Sequence, residues 1–222
     1  MTGNFIVSYP RSGQHLMELL LKDAYKFYGM KYSYCGYYRS SSCGCRKNPC
    51  IKKRVFQKNH DFQLKMKIYD KYKYLILYRE DYINQLEAYF RFTYRRSLKG
   101  KARKRFRKNG RWSNDAFDYE DPKLFNKLIQ FIKEKKNSYD NFIKKWVNND
   151  HPNCLHISYE KLLKTPVENT AMILRFFNPD KNFELEDVSN LLANRDETIE
   201  IRYQLCSKVY SKIQYERNGI WL

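Results

Sequence analysis

One stretch near the start, Asn4-Phe-Ile-Val-Ser-Tyr9-Pro10-Arg11-Ser12-Gly13-Gln14-His15-Leu16, constrains the chain more than any other. Phe5, Ile6 and Val7 form a short apolar run with β-branched members, and Pro10 and Gly13 punctuate it. Leu16, Leu19, Leu20 and Ala24 then recur at helical spacing. The pattern predicts a buried strand, a tight turn and a helix of about Gln14 to Tyr28, an order that belongs to α/β folds.

The first backbone N–H groups of such a helix have no intrahelical partner and carry the positive end of its dipole into the turn. An anion fits there, and Arg11, Ser12, Gln14 and His15 would add side-chain donors to the same pocket. The natural ligand is a phosphate. The nucleotide-triphosphatase loop G-x-x-x-x-G-K-[ST] is absent, so the magnesium–triphosphate chemistry that it serves is not indicated.

A length of 222 residues, 42% of them hydrophobic, suits a single domain over 1–222. No apolar run reaches the length of a membrane span and no signal-peptide layout opens the chain, so a soluble, cytoplasmic protein is expected. Lys and Arg number 43 against 24 Asp and Glu, a net charge of +19 that calls for anionic partners. Much of the excess sits in a basic loop, about 95–115, where Phe106 and Trp112 stand among cations. That loop could bind nucleic acid, recruit an acidic acceptor or simply be solvated.

Cys35, Cys43, Cys45 and Cys50 crowd into a Tyr- and Cys-rich insertion of about 30–53, while Cys154 and Cys206 fall in core-like segments. The spacing is not a common paired CxxC zinc arrangement. Reduced structural thiols, a structural zinc and a disulfide are the readings, in that order.

Further along, Arg54 to Asp61 reads as a short strand whose end carries Lys58 and His60, two residues apart and so on one face. Tyr72 to Tyr78 is a buried strand ending at Arg79, with a helix from about Asp81 to Tyr94. A long helix lies within Phe117 to Asn149, and Asn153 to Glu160 is a further strand. A helix follows Pro166, and Phe183 to Ala193 is a shorter one.

Several of these pieces resemble the sulfotransferases that use 3′-phosphoadenosine-5′-phosphosulfate (PAPS). Tyr9-Pro10-Arg11-Ser12-Gly13 resembles the family's 5′-phosphosulfate loop, with Arg11 for the usual lysine and Gln14 and His15 for the usual threonines. Lys58-Asn59-His60 resembles its Lys-Thr-His motif, Tyr159-Glu160 its Tyr-Glu-x-Leu, and Arg217-Asn218-Gly219 a worn form of its C-terminal loop.

The resemblance implies a P-loop-like three-layer α/β fold with a central, mostly parallel sheet flanked by helices. It implies transfer of a sulfuryl group from PAPS to an acceptor hydroxyl or amine, leaving adenosine 3′,5′-bisphosphate and needing no catalytic metal. His60 would be the base, Lys58 a stabiliser of the sulfuryl oxygens, and Arg11 the group neutralising the leaving phosphate. Arg79 would hold the 3′-phosphate, Tyr159 would contact adenine, and Arg217, Asn218 and Gly219 would close over the nucleotide. An ungapped reading puts Glu87 where the family has a phosphate-binding serine, and Asn84 is the nearest substitute on that helix. The acceptor would be a small molecule, a glycan or a lipid. The rivals are a non-enzymatic nucleic-acid-binding protein built on the basic loop and a nucleotide kinase.

Overall fold

The structure is a computed structural model that describes residues 3–36, 43, 50, 52, 54–98, 107–108, 111–112, 117, 119 and 121–193. Its centre is β1 (Asn4–Ser8), buried along its whole length. Phe5 and Val7 face one layer and Ile6 the other, the alternation a strand imposes. Beside it lie β2 (Tyr34–Cys35), β3 (Phe56–Asn59), β4 (Lys73–Tyr78) and β7 (Cys154–Ser158) in the order β2-β3-β1-β4-β7. Every pairing in this five-stranded sheet is parallel. An α/β fold with a parallel central sheet is therefore present as expected.

Helices cover both faces, as a parallel sheet requires. One layer holds α1 (Gln14–Phe27), α4 (Tyr159–Lys164), α5 (Pro166–Phe177) and α6 (Leu185–Ala193) around Ile6, Leu20, Phe56, Leu75 and Leu174. The other holds α2 (Tyr82–Ser97), α3 (Pro122–Phe142) and a π-helical turn, Ile143–Val147, around Phe5, Val7, Ile76, Phe90 and Trp146. The chain passes from one half of the sheet to the other across β1. Ligands of open α/β sheets bind at such a crossover, outside the C-terminal strand ends.

Some boundaries differ from expectation. The basic stretch is not wholly loop: Arg95 and Arg96 belong to the last turns of α2. Residues 107–108 and 111–112 pair as an antiparallel two-stranded ribbon, β5 (Arg107–Lys108) with β6 (Arg111–Trp112). Asn109-Gly110 is the sequence signal for such a hairpin. Tyr159 and Glu160 open α4 rather than extend β7, because Ser158 caps the helix by accepting the Lys161 N–H. No helix among the described residues is long and apolar enough to cross a membrane.

The segment leaving β3 is pinned from the far side of the sheet. Buried Asp61 accepts from Lys145 Nζ at 2.6 Å, Trp146 Nε1 at 3.0 Å and the Met66 N–H at 3.0 Å. Lys145 also donates to the Leu64 and Met66 carbonyls. Asp61→Ala strands an ammonium and an indole N–H, so we expect a loss of about 3 kcal/mol in urea denaturation, tempered by the partial exposure of Lys145.

Candidate functional site

The turn after β1 sits at the crossover and is built for close contact. The Ser12 N–H and Oγ both approach the Tyr9 carbonyl, at 3.3 and 3.0 Å. Arg11 has φ 75° and Gly13 φ 81°, both in the left-handed region. For Gly13 this is free, and a side chain is also excluded, since a Cβ would lie 2.2 Å from the Tyr159 ring. For Arg11 the conformation costs about 1 kcal/mol, a strain that the surrounding packing must hold in place.

Gln85 of α2 supplies part of that hold. Its Oε1 accepts from Ser12 Oγ at 2.8 Å, and its amide nitrogen donates to the Pro10 carbonyl. Tyr9 packs edge-on against Tyr89, Tyr139 and Phe142. The turn is thereby fixed before any ligand arrives.

The start of α1 carries no side-chain cap and no acidic residue in its first turn. By contrast, α2, α3 and α4 begin on Asp81, Asp121 and Ser158, whose side chains accept backbone N–H groups. The dipole end at the turn thus keeps its attraction for an external anion.

Gln14 does not add a donor there: its Nε2 is spent on the Ile6 carbonyl at 3.1 Å, and its buried Oε1 has no hydrogen-bond partner. His15 is exposed and lies 3.9 Å from Glu18. Of these two expected donors, only the backbone of Gln14 and the outward-facing ring of His15 remain available to a ligand.

Lys58 pairs in register with Ile6 and so projects on the α1 side of the sheet. Burial holds its ammonium below the ordinary lysine range; Glu18 opposes the shift and the Arg11 cation adds to it. Arg95 is lowered in the same way, by burial first, then by the Arg91 and Arg11 cations. Arg11 itself is exposed and lies 5.2 Å over the Phe92 ring. Arg11 is therefore close enough to repel both Lys58 and Arg95, which an anion beside it would relieve.

His60 follows β3 with Nδ1 2.7 Å from the Ser8 carbonyl and 3.3 Å from Ser8 Oγ. A carbonyl can only accept, so Nδ1 carries the proton and Nε2 is the basic nitrogen. The imidazole does not keep its ordinary pKa near 6.5. Burial, then the Lys58 cation, push it down to about 4, against the pull of the Ser8 bond.

Arg79 leaves β4 with its guanidinium 4.7 Å over the Tyr159 ring, and its buried Nε has no hydrogen-bond partner. Tyr139 fixes the backbone by donating to the Arg79 carbonyl at 2.7 Å. Tyr159 is 4% exposed, packed between Gly13 and Arg79.

Glu87, which a phosphate would meet as a like charge, is turned away. It is fully buried, paired with Arg91 Nε at 2.7 Å and bonded by the Tyr119 hydroxyl. Asn84 lies in the first turn of α2, its N–H near the Asp81 cap. The α2 residue that reaches the turn is Gln85, one position after Asn84 and two before Glu87. Its signal was the neighbour four residues on, Tyr89, which meets Tyr9 from the same helical face. Arg217, Asn218 and Gly219 lie outside the described residues.

No family model and no curated protein matches the chain. Among solved structures it is similar to the "Sulfotransferase Domain from the Curacin Biosynthetic Pathway", at 14% identity, covering 85% of this chain and 77% of that one, with a TM-score of 0.42. So low an identity assigns no residue a role.

Because His60 is neutral when folded and ordinary when unfolded, the unfolded chain binds more protons between pH 6.5 and 4. Its contribution is fully present above about pH 6.5 and falls away on acidification through pH 4, by roughly 3 kcal/mol. His60→Asn should flatten that part of the stability–pH curve measured by denaturant titration. Gly13→Ala should destabilise by about 2 kcal/mol or more, through both positive φ and the Tyr159 ring.

Proposed function

We propose that the chain is a PAPS-dependent sulfotransferase acting on an acceptor hydroxyl or amine. The observation that carries this reading is Arg11, in the turn before the uncapped start of α1, within electrostatic reach of both Lys58 and Arg95, with the Lys58 cation acting in turn on a neutral imidazole. The donor set suits a polyanionic nucleotide: cations and backbone N–H groups line the turn, and Arg79 has a buried Nε without a partner. PAPS would bring the transferable sulfuryl group and a leaving bisphosphate. No triphosphatase lysine stands in the turn, which argues against a kinase.

The residues divide the work by position. Arg11 and the α1 N–H groups would neutralise charge on the 5′-phosphate, and Lys58 would hold the sulfuryl oxygens. Arg79 would meet the 3′-phosphate, as would Arg217, Asn218 and Gly219 from the C-terminal segment. His60 Nε2 would take the acceptor proton, its ring oriented by the Nδ1–H bond to Ser8. An anion over Lys58 also offsets the cation that weakens His60, so the base strengthens when the nucleotide is in place. A small-molecule, glycan or lipid acceptor and a cytoplasmic setting complete the proposal.

A thermal-shift titration with adenosine 3′,5′-bisphosphate, beside AMP, ATP with magnesium and a short oligonucleotide at two salt concentrations, tests it. Near 100 times its dissociation constant the bisphosphate should stabilise the fold by about 2.7 kcal/mol. Arg11→Ala and Arg79→Ala should reduce that shift, while His60→Ala keeps it and abolishes sulfuryl transfer. Stabilisation by the oligonucleotide alone, lost at high salt, would instead make the basic segment the functional element.

A further inference from the structure

Cys35, Cys43 and Cys50 are separated by up to 15 positions in sequence, yet their sulfurs lie within 4.8 Å of one another. All three are buried, at 1%, 5% and 5% exposure. Cys35 ends β2 at the edge of the sheet, where it pairs with Gln57 of β3. The Cys43 and Cys50 sulfurs are 3.4 Å apart, far beyond the roughly 2.05 Å of a disulfide. Four ligands at about 2.3 Å around a tetrahedral zinc stand just under 4 Å apart, so the observed spacing needs only small adjustment.

The surroundings separate this cluster from ordinary buried thiols. Cysteines that fill apolar volume sit among Leu, Ile and Phe, as small hydrophobes do. These three form a buried cluster of their own, apart from the two cores that pack against the sheet. The segment carrying Cys43 and Cys50, 36–53, is rich in Lys, Arg, Ser and Gly and offers few apolar side chains beyond Tyr37, Tyr38 and Ile51. A segment of that composition has little apolar area of its own to bury.

Outer contacts of the kind that support ligands are present: the Cys50 N–H donates to Gln57 Oε1, and Lys52 Nζ donates to the Cys43 carbonyl at 3.2 Å. Lys52 also offsets the negative charge that three thiolates leave on a dipositive ion.

We infer that Cys35, Cys43 and Cys50 bind one structural zinc ion, which pins the insertion to the β2–β3 edge of the sheet. Each thiol loses its proton on binding, so three protons are released and no oxidant is needed. The fourth position goes to a donor other than these three; Cys45 lies outside the described residues. The ion is remote from the proposed chemistry in role, and the inference stands whether or not PAPS binds. Its link to the site is mechanical: β3, which Gln57 ties to Cys50, is the strand that carries Lys58.

Metal analysis of the full chain, purified without chelator and reconstituted with zinc, should find one ion per chain. Cobalt(II) in its place should give thiolate-to-metal charge-transfer absorption. Cys43→Ser and Cys50→Ser should lose both, and Cys154→Ser, on β7, should lose neither. Gln57→Ala, which removes only the outer contact, should weaken zinc binding roughly tenfold, and it guards against a cysteine variant that merely fails to fold. A reconstituted wild-type chain with no bound zinc and every thiol open to titration would overturn the inference, as would a Cys43–Cys50 disulfide found by mass under non-reducing conditions.

Discussion

The turn from Tyr9 to Gly13 is gripped between two side chains, and the site depends on that grip. Gln85 reaches across from α2 to hold Pro10 and Ser12, and the Tyr159 ring of α4 occupies the space that any side chain at position 13 would need. One holder comes from each helical layer. The strained backbone at Arg11 persists because both layers must yield before it can relax. Arg79 extends the same assembly, its guanidinium resting on the ring that fills Gly13's space.

Electrostatics give the assembly its purpose. A fold with so much positive charge could spread it over solvent, where screening makes it cheap. Here part of it is drawn together and partly buried, so that burial and the neighbouring Arg11 cation lower Lys58 and Arg95, and burial and the Lys58 cation lower His60. Those depressed basicities are a reservoir that an anion releases on arrival. The acid groups nearby are kept occupied. Glu87 answers to Arg91 and Tyr119, while Glu80 and Glu160 are bound to Ser158 and to backbone.

Much of this was legible in the sequence where a strand meets a helix. The apolar run into Pro10 and Gly13 located both β1 and the turn, while Lys58 lies in β3 and His60 just beyond the strand's end. What the sequence could not show was what the turn's neighbours do. Gln14 is a donor by type, yet its amide is consumed by Ile6. Position 87 is acidic, yet buried contacts turn it into scaffold. Gln85 is marked locally by nothing more than Tyr89 four residues on, because its importance comes from a turn 73 residues earlier. The shift at His60 likewise depends on depth and on Lys58, neither of which a residue type carries.

The contacts that remove Glu87 from the site also shape the basic segment. Tyr119 is bonded to Glu87, and Phe117 packs on Tyr94 and under Arg95, all on α2. The chain between Ser97 and Phe117 therefore leaves and returns to one helix, its two ends tied to the same stem. Lengthening a loop closed in that way costs only about 0.6 kcal/mol per doubling. The stem leaves room for charge and length to drift there between descendants of the chain while β1, the turn and their two holders stay as they are.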